Sequence, residues 1–241
     1  MIKSIKVLVL ALLLITAALP ASLAAEKNSN ATEVQVSGSH QEEVAPDIAY
    51  VNLGTVVEAD TVAAAQAKNA EVSAKLHRQL EGLGIKSEYI KTAHYTVTPL
   101  YKNDDSGRRT QSIKGYQVTN SITVTTVPDK AGEVIDTALN AGANQVNNIR
   151  FGKKAETDVK NAALAQAVRD AMSKADAIAT ALNKRVVRVK AVNENGISLQ
   201  SPEIANRFYA KSAMADSMQA TPISAGLVTL SANVQVIVEL E

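Results

Sequence analysis

The chain has 241 residues, with 25 Lys and Arg against 24 Asp and Glu, a formal charge of +1, and neither cysteine nor tryptophan. So balanced a surface argues against nucleic acid or an anionic membrane as the main partner. The lack of cysteine excludes disulfide staples, thiol chemistry and a lipid anchor on a cysteine.

The first element is a leader. Lys3 and Lys6 precede an apolar run over residues 7–19, Pro20 interrupts it, and Ser22 and Ala24 place small residues where a signal peptidase needs them. Residues 1–24 therefore read as a secretory signal peptide. The run is too short to span a bilayer comfortably, so no integral membrane segment is expected after cleavage. Removing Lys3 and Lys6 takes the formal charge from +1 to −1. The expected location is the periplasm, or outside the cell where there is a single membrane. Residues 25–31 form a flexible lead, and 32–241 one structured domain.

Only Phe151 and Phe208 supply phenylalanine, so aliphatic residues and alanine must build the core. Val34, Val36 and Gly38 alternate with polar residues, the period of a half-buried strand. After Pro46-Asp47 a second strand places Ala49, Val51, Leu53 and Val57 on one face. Asp60 is a candidate N-cap for a helix whose stripe is Val62, Ala65, Asn69, Val72, Leu76, Leu80 and Leu83. Gly82 and Gly84 stop it. A strand over 88–101 carries Ala93, Tyr95 and Val97 on one face and Thr92, His94, Thr96 and Thr98 on the other. Residues 102–112 are polar and form a hairpin loop.

The return strand places Tyr116, Val118, Ile122 and Val124 on one side. A short helix then runs from Pro128 to about Leu139, closed by Ala141-Gly142. A strand with Ile149 and Phe151 leads into the longest helix, over about 157–183. Its expected apolar face is Leu164, Ala167, Val168, Ala171, Ala175, Ile178, Ala179 and Leu182, with Asp170 and Lys174 outside it. Val187, Val189 and Ala191 mark another strand. Residues 197–225 form a long irregular loop, of a length unusual without functional use or disorder. Val228, Leu230, Ala232, Val234, Val236, Val238 and Leu240 share one face of the last strand.

These elements predict an α+β fold, an antiparallel sheet covered by helices. Strand, helix, glycine stop and strand occur over 48–101 and again over 116–153, which suggests two duplicated strand-helix-strand halves.

Residues able to carry chemistry are isolated. His40, His77 and His94 have no second ligand at metal spacing. There is no nucleophile elbow and no glycine loop for phosphate. Asp104-Asp105 and Arg108-Arg109 sit in the hairpin tip, where solvation is the simpler role. Tyr95, Tyr101 and Tyr116 surround the same hairpin and read as cross-strand packing. No catalytic, cofactor-binding or metal-binding residue is assigned, and no cofactor is expected.

The chain nevertheless carries a series of landmarks in order. Val34, Val36 and Gly38 are followed by Pro46-Asp47-Ile48-Ala49, Gly84-Ile85, Ile90-Lys91-Thr92 and Pro99-Leu100-Tyr101. Then come residues 113–120, Gly142-Ala143-Asn144, Ile149-Arg150-Phe151, an alanine-rich helix, and Thr221-Pro222-Ile223 before the terminal valine strand. In this order they resemble the SIMPL-domain family, which includes bacterial periplasmic immunogenic and oxidative-stress-defence proteins. The resemblance implies an exported, oligomeric α+β protein with a role in oxidative or envelope stress tolerance, and it carries over no catalytic residue.

Three functional classes follow. The first is a non-enzymatic, self-assembling envelope protein, a homo-oligomer to which residues 198–225 contribute. The second is an antioxidant enzyme, for which the chain lacks a thiol and a ligand cluster. The third is a binding module for a small envelope ligand or peptide, using the hairpin and the long loop.

Overall fold

The computed structural model describes residues 32–201 and 221–241. The expected signal peptide and flexible lead lie outside the described residues, as do Ile204, Phe208, Tyr209, Met214 and Met218 of the long loop. The fold is α+β, as the periodicities predict. Its strands divide between two antiparallel sheets rather than joining in one.

The elements in chain order are β1 (Thr32–Val44), β2 (Ile48–Ala59), α1 (Val62–Gly82), β3 (Ile90–Asn103) and β4 (Arg109–Thr126). They continue as α2 (Ala131–Ala141), β5 (Gln145–Gly152), α3 (Glu156–Ala181), β6 (Val186–Gln200) and β7 (Val228–Leu240). Single 3₁₀ turns at Ser87–Tyr89 and Pro128–Lys130 precede β3 and α2.

The four-stranded sheet has the order β3-β4-β2-β5. Here β2-α1-β3 and β4-α2-β5 are two β-α-β units, each with a strand of the other between its own two, the split arrangement of ferredoxin-like domains. The duplicated halves expected from the sequence are these units. Helix α1 packs over β2 and β4, and α2 packs against α1 and β2. Ala49, Val51, Leu53, Ile122, Val124, Leu76, Leu80, Val134, Ile135 and Phe151 fill the space between.

Thr61, rather than Asp60, is the N-cap of α1; its Oγ1 accepts the Ala64 N–H at 3.2 Å. Asp60 still belongs to the bend leaving β2, whereas Thr61 has the extended backbone a cap requires. Asn69, the polar break in the α1 stripe, is buried, and its Oδ1 accepts from Asn120 Nδ2 at 3.3 Å. Asn120 Nδ2 also donates to Ser73 Oγ at 3.0 Å, so a polar cluster sits between α1 and β4.

The three-stranded sheet has the order β1-β7-β6 and pairs the first described strand with the last. β7 is central, and all seven of its expected inward residues are buried. A hairpin between β1 and β2 would have merged the two sheets. Pro46 stands in the connection between them; it lacks an N–H for a ladder and favours an extended Ala45. The chain crosses over instead, and Asp47 N–H donates to the Gly152 carbonyl at 3.0 Å, beside the β2–β5 ladder.

Helix α3 covers this sheet with a narrower stripe than the sequence predicts. Ala163, Ala167, Ala171, Ala175 and Ala179 are buried, while Leu164 and Val168 flank them. Ile178 and Leu182, expected on the apolar face, are exposed, Leu182 at 51%. The alanines win because the helix lies almost on the strand: a Cβ on Gly38 would stand 2.0 Å from the Ala167 carbonyl oxygen.

The expected loop over 197–225 begins later. Ile197 to Gln200 belong to β6 and pair with Ala232 to Thr229, because the apolar alternation continues past Gly196. At the far end Thr221 docks on α2. Its N–H and Oγ1 both donate to the Asp136 carboxylate, at 2.8 and 2.5 Å. Gly132 lets the Thr221 carbonyl approach to where a Cβ would otherwise sit, 2.1 Å away.

Candidate functional site

The structure keeps the three histidines apart. His40 Nε2 lies 3.7 Å from Glu42 Oε1 on β1. His77 Nδ1 lies 2.9 Å from the Ser73 carbonyl, one turn earlier in α1. His94 is exposed on β3. Among the described residues, no group of three or more His, Asp or Glu side chains is placed to hold a metal ion.

The hairpin tip is a built turn. Asp104 Oδ1 accepts the N–H groups of Ser106 and Arg108 at 2.9 and 2.8 Å, and the Asp104 N–H donates to the Arg108 carbonyl. Such a side chain mimics a backbone turn and fixes the loop. The Arg109 guanidinium stacks over the Tyr101 ring, 4.0 Å from its centroid, which is a cation–π contact. The tyrosines do not form one box. Tyr116 pairs with Pro99 and Tyr101 with Ile113, while Tyr95 sits six residues before Tyr101, about 20 Å away along the strand.

Two strand edges are closed by side chains. Asn144 presents its amide to Val56 as a strand would: Oδ1 accepts the Val56 N–H at 2.9 Å, and Nδ2 donates to its carbonyl at 2.8 Å. On β1, Asp170 Oδ2 accepts the Ser39 N–H at 2.9 Å and Lys174 Nζ donates to the Ser37 carbonyl at 3.0 Å. Lys174 also bonds Asp170 at 2.6 Å, so the pair covers a donor and an acceptor of the edge together. Like β1 and β5, strands β3 and β6 have strand partners on one side only among the described residues. They expose apolar side chains, with Tyr95 at 48% and Val192 at 51%. The Ala93-Tyr95-Val97 face is uncovered because α1 lies over β2 and β4, and a register shift at Ala93 breaks the alternation.

A cavity of about 330 Å³ opens at one end of the four-stranded sheet. Four segments that are distant in sequence converge on it: Asp47-Ile48 at the start of β2, Gly84 to Lys86 with Tyr89 before β3, Thr125 to Val127 with Lys130 at the end of β4, and Lys154 after β5. Ile48, Ile85, Tyr89 and Val127 give it apolar walls; Lys86, Lys130 and Lys154 bring three cations. The Asp47 carboxylate is occupied. Oδ1 accepts the Lys154 N–H at 2.7 Å, and Oδ2 lies 3.3 Å from Lys153 Nζ. The Lys154 amide foremost, then Lys153, hold its carboxyl below the usual carboxylate range. Lys86 is 3.9 Å from Glu88, and both are well exposed, so that pair is weak. Sequence reasoning missed this cavity because no local spacing announces it. Its one trace was that Pro46-Asp47-Ile48 and Gly84-Ile85, separate landmarks in the chain, lie side by side here.

Comparison with known proteins agrees with the landmarks. Residues 34–238 match the family model SIMPL, described as a protein of unknown function (DUF541). The chain is 26% identical over 224 residues to the 26 kDa periplasmic immunogenic protein of Brucella melitensis, covering 90% of this chain and 89% of that one. It is 26% identical over 215 residues to the uncharacterized protein YggE of Edwardsiella ictaluri, covering 89% of each. It is also 26% identical over 173 residues to YggE of Escherichia coli K12, covering 70% of this chain and 69% of that one. A family match across the whole span from β1 to β7 settles the assignment: the chain belongs to the SIMPL family.

Proposed function

We propose that this chain is an exported envelope protein that self-assembles through its open strand edges and supports oxidative or envelope stress tolerance without catalysis. The observation that carries self-assembly is the contrast between edges. Asp170 and Lys174 cover the β1 edge at Ser39 and Ser37, and the edge strand β5 is short, while β3 and β6 are long and bear exposed Tyr95, Val97, Val187, Val189 and Val192. Long apolar edges are templates for pairing with another chain unless they are blunted. A periplasmic site is supported by the name of the Brucella relatives. The stress role rests on the family resemblance.

The test is sedimentation velocity of the mature chain over a wide concentration range. The expected result is a mass above that of one chain, which falls when Val97→Lys and Val189→Lys place cations on the open edges. A monomer at every concentration overturns the assembly reading. Assay of the same metal-loaded and metal-free preparations for peroxide consumption checks the non-enzymatic part, and turnover by the pure protein would refute it.

A further inference from the structure

We propose that the cavity at the end of the four-stranded sheet is a binding site for a small organic carboxylate with an apolar body. This inference is independent of self-assembly, and it places ligand binding at the opposite end of β4 from the hairpin.

Three observations carry it. First, the volume of about 330 Å³ is at the small end of the range for ligand pockets, which suits a compact molecule. Second, the walls are of two kinds. Ile48 and Ile85 form an apolar side with Ile85 buried, and Tyr89 and Val127 are exposed at the mouth. Exposed apolar groups beside a concavity lose water on contact with an apolar ligand, and this favours binding. Third, the charge is one-sided. Asp47 is neutralised by Lys153, and Glu88 can screen only Lys86. Among the described residues, the Lys130 and Lys154 ammonium groups have no ion-pair partner within 4 Å.

An anion between these two lysines gains charge-assisted hydrogen bonds. A cation finds only the carboxylate of Asp47, already committed to an ammonium and an amide. A neutral apolar molecule leaves both ammonium groups unanswered. The arrangement therefore selects a carboxylate joined to a hydrocarbon body. The carboxylate lies toward Lys130 and Lys154, and the body against Ile48 and Ile85.

The test is titration of the isotopically labelled mature chain with sodium octanoate, followed by amide resonances, with 1-octanol as the uncharged control. Saturable shifts are expected at Ile48, Ile85, Lys86, Thr126 and Val127, and octanol should bind at least about tenfold more weakly. The double variant K130Q/K154Q should weaken octanoate by about tenfold or more at unchanged thermal melting. V127E, which sets a carboxylate at the mouth without touching the core, should abolish binding. No saturable shift up to the solubility limit, shifts centred elsewhere, equal binding of octanol, or full affinity in both variants would each overturn the proposal.

Discussion

At the scale of single residues, the two carboxylates that join elements are the most informative. The Lys174 ammonium, and after it the Ser39 amide, hold the Asp170 carboxyl below the usual carboxylate range. Asp47 is lowered in the same sense, chiefly by the Lys154 amide. A folded pKa below the unfolded one gives stability that is present above the unfolded value, about 3.9, and is lost as pH falls through the folded value. The variant D47N/D170N should therefore be less stable than the parent at neutral pH and lose less on acidification below about pH 4. Urea denaturation across pH measures this, and an acid limb as steep as the parent's would show that other carboxylates dominate. The histidines predict the opposite. They lie on three separate elements, His40 beside Glu42 and His77 on the Ser73 carbonyl, and among the described residues none belongs to a group of three or more possible metal ligands. A triple His40, His77, His94→Ala variant should keep its melting temperature within a few degrees and retain any stress phenotype. Loss of phenotype at unchanged melting would give one of them a functional role.

At the scale of elements, the decisive contact is α3 on β1. Alanine is the best helix former and loses no side-chain entropy on burial, so five alanines at four-residue spacing make a flat, inexpensive seam. The seam works only if the strand is equally bare at Gly38. G38A adds one methyl group 2.0 Å from the Ala167 carbonyl and 2.7 Å from the Ala171 Cβ, and neither neighbour is a flexible side-chain tip. Overpacking of this kind typically costs about 1–3 kcal/mol. The expected outcome is a loss of that size in urea denaturation, together with weaker hydrogen-exchange protection in β1 and α3. An unchanged midpoint would show that α3 can draw back from β1 at no cost, so that the seam does not depend on a bare Gly38.

At the scale of the whole molecule, the split β-α-β unit is continuous in sequence, whereas the other sheet joins the two ends of the chain. β1 contributes an edge strand to β7 and the landing site of α3, so the second sheet cannot close until the last residues are present. The expected signal cleavage bears on this directly. Cleavage after Ala24 would leave seven residues before β1, so the strand would survive intact. N-terminal sequencing of the exported protein should begin at Ala25; a start at Glu26 only shifts the site, and a start at Met1 refutes processing. Removing residues 32–44 from the mature chain should unfold the three-stranded sheet and expose the alanine seam, seen as lost helix and strand signal in circular dichroism. Retention of the full signal would show that β7 and α3 hold without β1.

The sequence by itself determined the parts with strong local signals. The alternation in β2, β4 and β7, the stripe of α1 apart from its exposed first member Val62, the glycine stops and the two similar halves are all encoded by neighbours two to four residues apart, and the structure reproduces them. The order of landmarks also sufficed for the family. Tertiary structure decided what local pattern leaves open. Leu182 and Ile178 read as core because periodicity ranks hydrophobicity, but a helix seated on Gly38 admits only alanine in its seam. Asn69 reads as a flaw in a stripe until Asn120 arrives from β4 to bond it. Asp170 and Lys174 read as an ordinary surface pair, and only the nearby β1 edge makes them its hydrogen-bond partners. The cavity is the extreme case: its walls come from connections on both sides of the sheet's chain order, so no stretch of sequence contains it. Local sequence sets which face of an element is apolar, but what that face meets depends on contacts between residues far apart in the chain.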